Sequence, residues 1–429
     1  MGYVMLVPYS MLTIYTFLRR RDYLLAVLLV GQPISKLMLK PFPSSPSQNI
    51  FLVIYFAIGF YALGIVRLQT RRGFKVGKVS RRRIILYVTF VVFVCASLLY
   101  TPNREYAVSK TVDFVSTSSI IILATLITLE NRISLQKTMI TLGNLSLIIG
   151  FVTIFVTWTH TGSILVRVGT SAASEITFRG VNLAVSIWFG RRMGISFLAM
   201  FFATLVEPTK ANKIKSFLLF LFTMLSVSRG PIFSLLATFA MAIVVGLKHS
   251  SQANRIIKKV LKFALIVVPI VGFSLVTKEG FQRILDFGDA NALGRLGMFR
   301  ISVDLIKNNL LGYGIGSYSV LAGVGRYPHN IVLELLVELG IIGLFLFSQP
   351  FIKSMRDSIK MLYKSKKEDW AFAMFSFSVL LFAILNAQFS GDIVSNEYIW
   401  FGVFLSARLS EIIATETRLS GLEQNVVVR

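Results

Sequence analysis

An all-α, polytopic membrane protein is the fold class that this 429-residue sequence predicts, on three observations. Apolar residues make up 55% of it and charged residues only 15%, the balance of a chain that keeps most of its length out of water. Apolar runs recur from end to end, each near the roughly 20 residues a helix needs to cross a bilayer. Lys and Arg gather in short runs between them, so the net charge of +25 reads as cytoplasmic loops rather than a nucleic-acid surface, and no nucleic-acid partner is expected. The single cysteine, Cys95, lies inside an apolar run, which excludes an intramolecular disulfide and a Cys-based metal site.

In chain order, the opening run MGYVMLVPYSMLTIYTFL has no basic region before it and no small-residue cleavage site after it, and is read as a retained helix. Hydropathy places about thirteen spans: residues 2–18, 23–38, 50–66, 84–101, 113–129, 138–157, 193–207, 216–228, 231–247, 262–276, 331–348, 371–388 and 395–410. The segment RLQTRRGFKVGKVSRRR after the third span carries no acid and is assigned to the cytoplasm, as are the Lys-rich stretches 248–262 and 353–367. The chain then divides into N-terminal spans over 1–157, an outer-face loop with an interfacial helix over 158–192, central spans over 193–276, a large outer-face loop over 277–329, and C-terminal spans with a cytoplasmic tail over 330–429. In this reading Arg191 and Arg192 sit at the outer interface. Twelve to thirteen helices are thus expected, at about 20 residues each.

The outward-facing segments between 158 and 329 hold Arg167, Arg179, Arg191, Arg192, Arg229, Arg283, Arg295, Arg300 and Arg326, with only Lys278 and Lys307 beside them. Cations are disfavoured on that side, so they need a reason. A planar guanidinium suits bidentate binding of phosphate or carboxylate; pairing with Glu175, Asp286, Asp289 or lipid headgroups is the alternative. Arg229 differs, because Ser228-Arg229-Gly230-Pro231 joins two apolar runs with almost no loop, and a cation at that depth is costly and by default functional.

A second unusual junction is Tyr327-Pro328-His329-Asn330, which leads from a glycine-rich segment into an apolar helix and holds one of only three histidines. With an unperturbed pKa near 6.5, His329 suits a general base; a helix cap is the plainer role. Glu334 and Glu338 lie on one face of the following helix. Their carboxylates either orient His329 or hold an arginine, Glu334 alternatively favouring the helix N-terminus and Glu338, a turn deeper, calling for an arginine partner. His160 and His249 fall on opposite sides of the membrane, and no metal is expected. Gly312-Tyr313-Gly314-Ile315-Gly316 follows no strand, which rules out a dinucleotide loop.

Taken in order, Ser228-Arg229-Gly230, Gly294-Arg295, the run Gly312 to Ser317, His329-Asn330, Leu333-Glu334 and Glu338-Leu339-Gly340 resemble the O-antigen ligase and polymerase superfamily of bacterial surface-polysaccharide assembly, chiefly in the C-terminal half. The resemblance implies a GT-C-like, metal-independent glycosyltransferase without cofactor, in the bacterial cytoplasmic (inner) membrane with its site on the periplasmic side. Its donor would be an undecaprenyl-pyrophosphate-linked oligosaccharide and its acceptor a glycan or glycolipid, with the bilayer and a chain-length regulator protein as further partners. His329 falls on the family's catalytic histidine, and Arg229 and Arg295 on arginines used on the pyrophosphate. Arg179, Arg300, Glu334, Glu338, Gly314, Gly316 and Asn330 are further substrate-binding candidates, the glycines by letting backbone approach phosphate. A polymerase of O-antigen, capsule or exopolysaccharide is the leading expectation, with a ligase to lipid A core and, from another class, a flippase as alternatives. A flippase would spread cations through many spans.

Overall fold

The computed structural model describes residues 23–30, 76–162, 164, 166, 176–178, 181–184, 186–247, 290–323, 327–364, 366 and 368–427. The expected spans over 2–18, 50–66 and 262–276 lie outside these residues, and of 23–38 only 23–30 is described, as helix. The helices are α1 (Lys78–Ser97), α2 (Arg104–Thr128), α3 (Arg132–Thr161), α4 (Ser186–Val206), α5 (Lys210–Leu225), α6 (Arg229–Leu247), α7 (Ala290–Asn308), α8 (Tyr318–Leu321), α9 (Ile331–Lys364), α10 (Trp370–Ala387) and α11 (Glu397–Val427). Strands β1 (Ile176–Phe178) and β2 (Val181–Ala184) form a short antiparallel hairpin pairing Phe178 with Val181. Among the described residues six helices, α2, α3, α4, α9, α10 and α11, are long and apolar enough to cross a membrane, and α6 contains a shorter apolar stretch. The protein is the polytopic helical membrane protein its composition predicts.

Polar residues decide where the helices depart from the hydropathy reading. α2 starts at Arg104 rather than at 113 because Asn103 caps it, accepting the Tyr106 N–H at 3.3 Å, and because Lys110, Thr111 and Ser116 are buried in protein instead of standing in water. α3 starts at Arg132 on a capping box in which Asn131 and Ser134 satisfy each other's backbone N–H. The interfacial helix expected within 158–192 is not what the described residues show. α3 runs to Thr161, the hairpin follows, and α4 begins at Ser186. Arg191 and Arg192 lie inside α4, buried among protein groups. The large loop expected over 277–329 contains α7, which packs on α9.

The bundle has two aromatic cores joined by α10, which touches α4 and α6 on one side and α9 and α11 on the other. Tyr87, Phe90, Phe114, Phe347 and Trp400 interlock between α1, α2, α9 and α11, with Tyr87 edge-on to Trp400 at 4.8 Å and Phe90 to Phe347 at 5.4 Å. Phe197 packs edge-on against Phe220, and Phe201 against Phe239, both at 5.4 Å, between α4, α5 and α6. Lipid is as apolar as these side chains, so close packing and ring geometry hold the helices together more than water exclusion does.

The two ends of the bundle differ. At one, carboxylates meet the cations: Arg132 pairs with Asp369 at 2.8 Å and with Glu416, Arg83 with Asp357, and Arg408 with Glu411 at 3.0 Å. The other end gathers the α1–α2 turn, the starts of α4, α6, α9 and α11, and the end of α10. There α9 is interrupted: Gly340 has φ 66° and ψ −168°, and the backbone of 310–314 enters the break. Ile341 N–H donates to Leu310 O at 3.0 Å, Tyr313 N–H to Val337 O at 3.0 Å, and Gly314 N–H to Glu338 O at 2.7 Å. Irregular backbone at such depth survives only when protein satisfies its polar groups in this way.

Candidate functional site

Two non-glycine residues among those described have positive φ, Val227 at 48° and His329 at 57°. Val227 immediately precedes, and His329 lies within, a junction that the sequence singles out. Such conformations cost of order 1–3 kcal/mol and concentrate where function needs them. Val227 stands in the turn from α5 to α6, which brings Arg229 to the first residue of α6. His329 stands one residue before the cap of α9.

That cap is Asn330. Its Oδ1 accepts the N–H groups of Val332 and Leu333, both at 3.0 Å, and its Nδ2 donates to Gln388 O at 3.2 Å. The polar atoms of Asn330, a substrate-binding candidate, start the helix and tie it to the end of α10. His329 is thereby released from capping. Its imidazole is half-buried, edge-on to Tyr327 at 4.6 Å, and its Nδ1 has no hydrogen-bond partner among the described residues. Burial holds the imidazole pKa down to about 4, with the Arg295 and then the Arg191 charge adding to the effect and Asp392 opposing it. His329 is therefore neutral at neutral pH. Tyr327 is pushed up to about 12, by burial first and then by the Asp392 and Glu334 carboxylates.

The segment 386–396, from the end of α10 to the start of α11, organises the surroundings. Arg191 donates through Nε to Asn386 Oδ1 at 2.8 Å, through Nη1 to Ser395 O at 3.1 Å, and through Nη2 to Ser390 O. Gly230, next to Arg229, faces the same segment: a Cβ there would stand 3.0 Å from Phe389 Cβ and 3.8 Å from Asn386 Oδ1. Arg229 and His329 thus belong to one end of the bundle, and Arg295 of α7 acts electrostatically on His329. Arg300 is exposed and lies about 1.4 turns further along α7, away from the Arg295 face. Arg179 lies outside the described residues.

Glu334 and Glu338 are buried, but neither orients His329 directly and the expected arginine is replaced by a lysine. Lys110 Nζ of α2 stands 2.6 Å from Glu334 Oε1 and 2.8 Å from both oxygens of Glu338. Glu334 Oε2 also accepts the Ile393 N–H at 3.1 Å. The sequence reading missed Lys110 because it began the second described span at 113; a lysine just before an apolar run with two acids elsewhere at helical spacing is the signal that was there. For Arg191 the signal was an arginine pair within an otherwise apolar stretch.

Gly314 and Gly316 meet protein at their α-carbons. Their φ values are 91° and 75°, and a Cβ on Gly314 would lie 2.7 Å from the Thr101 Cα, one on Gly316 3.0 Å from the Ala107 Cα. Ile315 between them donates to Ser97 Oγ at 3.1 Å and accepts from Thr101 Oγ1 at 2.8 Å. Close approach to the α1–α2 turn and the start of α2 requires glycine at both positions.

A neutral imidazole with an available nitrogen, flanked by cations that repel a proton, can accept a proton from a hydroxyl while the cations receive an anion. None of the curated proteins matches the chain. A family model described as O-Antigen ligase matches residues 214–348, a stretch containing Arg229, Arg295, the glycine segment, His329, Asn330, Glu334 and Glu338 but neither Lys110 nor Arg191. With six helices among the described residues long and apolar enough to cross a membrane, the chain is a membrane protein whose residues 214–348 match the O-Antigen ligase family model.

Proposed function

We propose that the protein is a glycosyltransferase of the bacterial cytoplasmic membrane that moves a glycan from undecaprenyl pyrophosphate to an acceptor hydroxyl on the outer face, without a metal ion. The acceptor oxygen attacks the anomeric carbon, the bond from that carbon to the pyrophosphate oxygen breaks, His329 takes the hydroxyl proton, and Arg229 and Arg295 receive the charge of the departing pyrophosphate. The observation that carries this reading is the left-handed, uncapped His329 beside Arg295. An imidazole held near 4 is by itself a weak base. A pyrophosphate at Arg295 offsets the cationic charge and raises its proton affinity, so base strength arrives with the donor.

Polymerisation is the favoured outcome, with a second lipid-linked repeat unit as acceptor; transfer to lipid A core is the ligase alternative. A flippase is disfavoured because it would spread cations through many spans, whereas Arg229, Arg295 and His329 belong to one end of the bundle. The test is transfer by the purified protein in lipid nanodiscs, given a defined undecaprenyl-pyrophosphate repeat unit and either a second repeat unit or a lipid A core. A product ladder with the first identifies a polymerase and single transfer to the second a ligase. No product with either, from protein that is folded and inserted, sinks the proposal.

A further inference from the structure

Lys110 lies outside the stretch matched by the family model and is buried with both carboxylates that contact it, each side chain 1% exposed. Three consequences follow from where those carboxylates stand. Glu334 and Glu338 occupy the first two turns of α9, directly behind the Asn330 cap and His329. Glu334 carries the contact onward to the Ile393 N–H, next to Asp392, one of the charges that acts on His329. The carbonyl of Glu338 receives the Gly314 N–H, which closes the α9 break. One ammonium on α2 therefore ties down the α9 start, the segment 386–396 and the glycine plug.

We propose that Lys110 is a positioning residue for His329: by clamping Glu334 and Glu338 to α2 it fixes the first two turns of α9 and, through Ile393, the segment that faces the imidazole. Nothing else described would hold two carboxylates on that buried face, since Lys110 is the cation in contact with both. The part played in catalysis rests on the reading of His329 as the base; the part played in placing the imidazole does not. A misplacement of about 1 Å costs on the order of 10²-fold in rate, so a clamp of this kind acts on turnover rather than on donor affinity.

Lys110→Met alone leaves two buried carboxylates uncompensated and tests folding more than positioning. The informative protein is the full-length triple variant Lys110→Met/Glu334→Gln/Glu338→Gln, which removes all three charges at nearly constant volume, with folding checked by its thermal unfolding midpoint in detergent. Two readouts are taken. The first is transfer kinetics, where turnover is expected to fall about 10²-fold with KM for the lipid-linked donor within about threefold of wild type. The second needs no activity: carbethoxylation of His329 by diethyl pyrocarbonate, followed by mass spectrometry with His160 and His249 as references in the same chain, is expected to speed up about fivefold as local opening becomes easier. Wild-type turnover, or an unchanged His329 modification rate, in the folded triple variant overturns the role of Lys110. A wild-type protein that transfers no glycan overturns the assigned reaction instead, and leaves the modification rates to decide the positioning.

Discussion

Among the described residues the apolar helices break at two buried glycine-containing places, and the two breaks are resolved differently. At Gly340 the break is filled from within: residues 310–314 supply the backbone partners that the helix lacks, and Gly312 and Gly340 approach backbone to backbone. At Val227 to Gly230 the outside backbone contact among the described residues falls just before the turn, where the Val166 N–H donates to Leu225 O at 3.0 Å. A strained valine turns the chain, Arg229 opens the next helix, and Gly230 lets α6 settle against Phe389. The first break is closed and structural; the second presents a cation to the end of the bundle that holds His329. A glycine thus marks close approach in both, and what approaches decides whether chemistry is available there.

The largest expected effect sharpens that contrast on the cationic side. His329→Ala and Arg229→Ala each lower glycan transfer by about 10³-fold or to background while the proteins stay inserted and folded, as an in vitro transfer assay alongside thermal unfolding would read; wild-type rates in both remove the second break from the mechanism. On the structural side, Gly312→Ala or Gly340→Ala places a methyl against backbone at positive φ, and a loss of about 2–4 kcal/mol in unfolding free energy is expected. Gly323→Ala, also at positive φ but with nothing within 4 Å, should cost only about 1 kcal/mol. Equal losses at Gly312 and Gly323 would show that the break is not plugged.

A smaller effect concerns the fork geometry of Arg295. Arg295→Lys keeps the charge but loses the paired donors, and about a tenfold loss of transfer is expected if the fork matters; full activity reduces Arg295 to a point charge. The proton balance of His329 gives a pH test with a definite sign. An unfolded histidine takes up its proton near 6.5 and the folded one only near 4, so between those values the unfolded state binds more protons and the fold loses stability as pH falls. The imidazole NMR titration should have its midpoint near 4 in the ligand-free protein and move upward when inorganic pyrophosphate is added. A midpoint that ignores pyrophosphate separates the imidazole from the anion site. The smallest effect is Gly294→Ala in α7, where the site is exposed and open; a gain of about 0.5–1 kcal/mol is expected there from helix propensity alone.

Much of this site is legible in the residues themselves. Arg229 declares itself by the cost of a cation between two apolar runs, and His329 by its rarity and its place at a helix start. Glu334 and Glu338 announce a buried partner by their spacing, but not which one, because Lys110 is 224 residues upstream of the first of them and only packing brings α2 beside α9. Hydropathy weighs Arg191 against water or lipid alone, whereas the carbonyls of Ser390 and Ser395 and the Asn386 amide provide its acceptors. Asn330 and the glycines are legible as special, and packing adds what the sequence does not show: Asn330 caps α9, and Gly314 and Gly316 are points of close approach.

By itself the sequence determined the environment of the chain, the helical class and the two junctions where polar chemistry interrupts apolar helix, because each follows from transfer free energies and backbone constraints that act locally. Which charges share a site was left to the tertiary structure. Ion pairs and plugged breaks form between segments distant along the chain, and their partners are chosen by how the helices pack, so Lys110, the segment 386–396 and the closure at Gly340 emerged only once α2, α9 and α10 stood side by side.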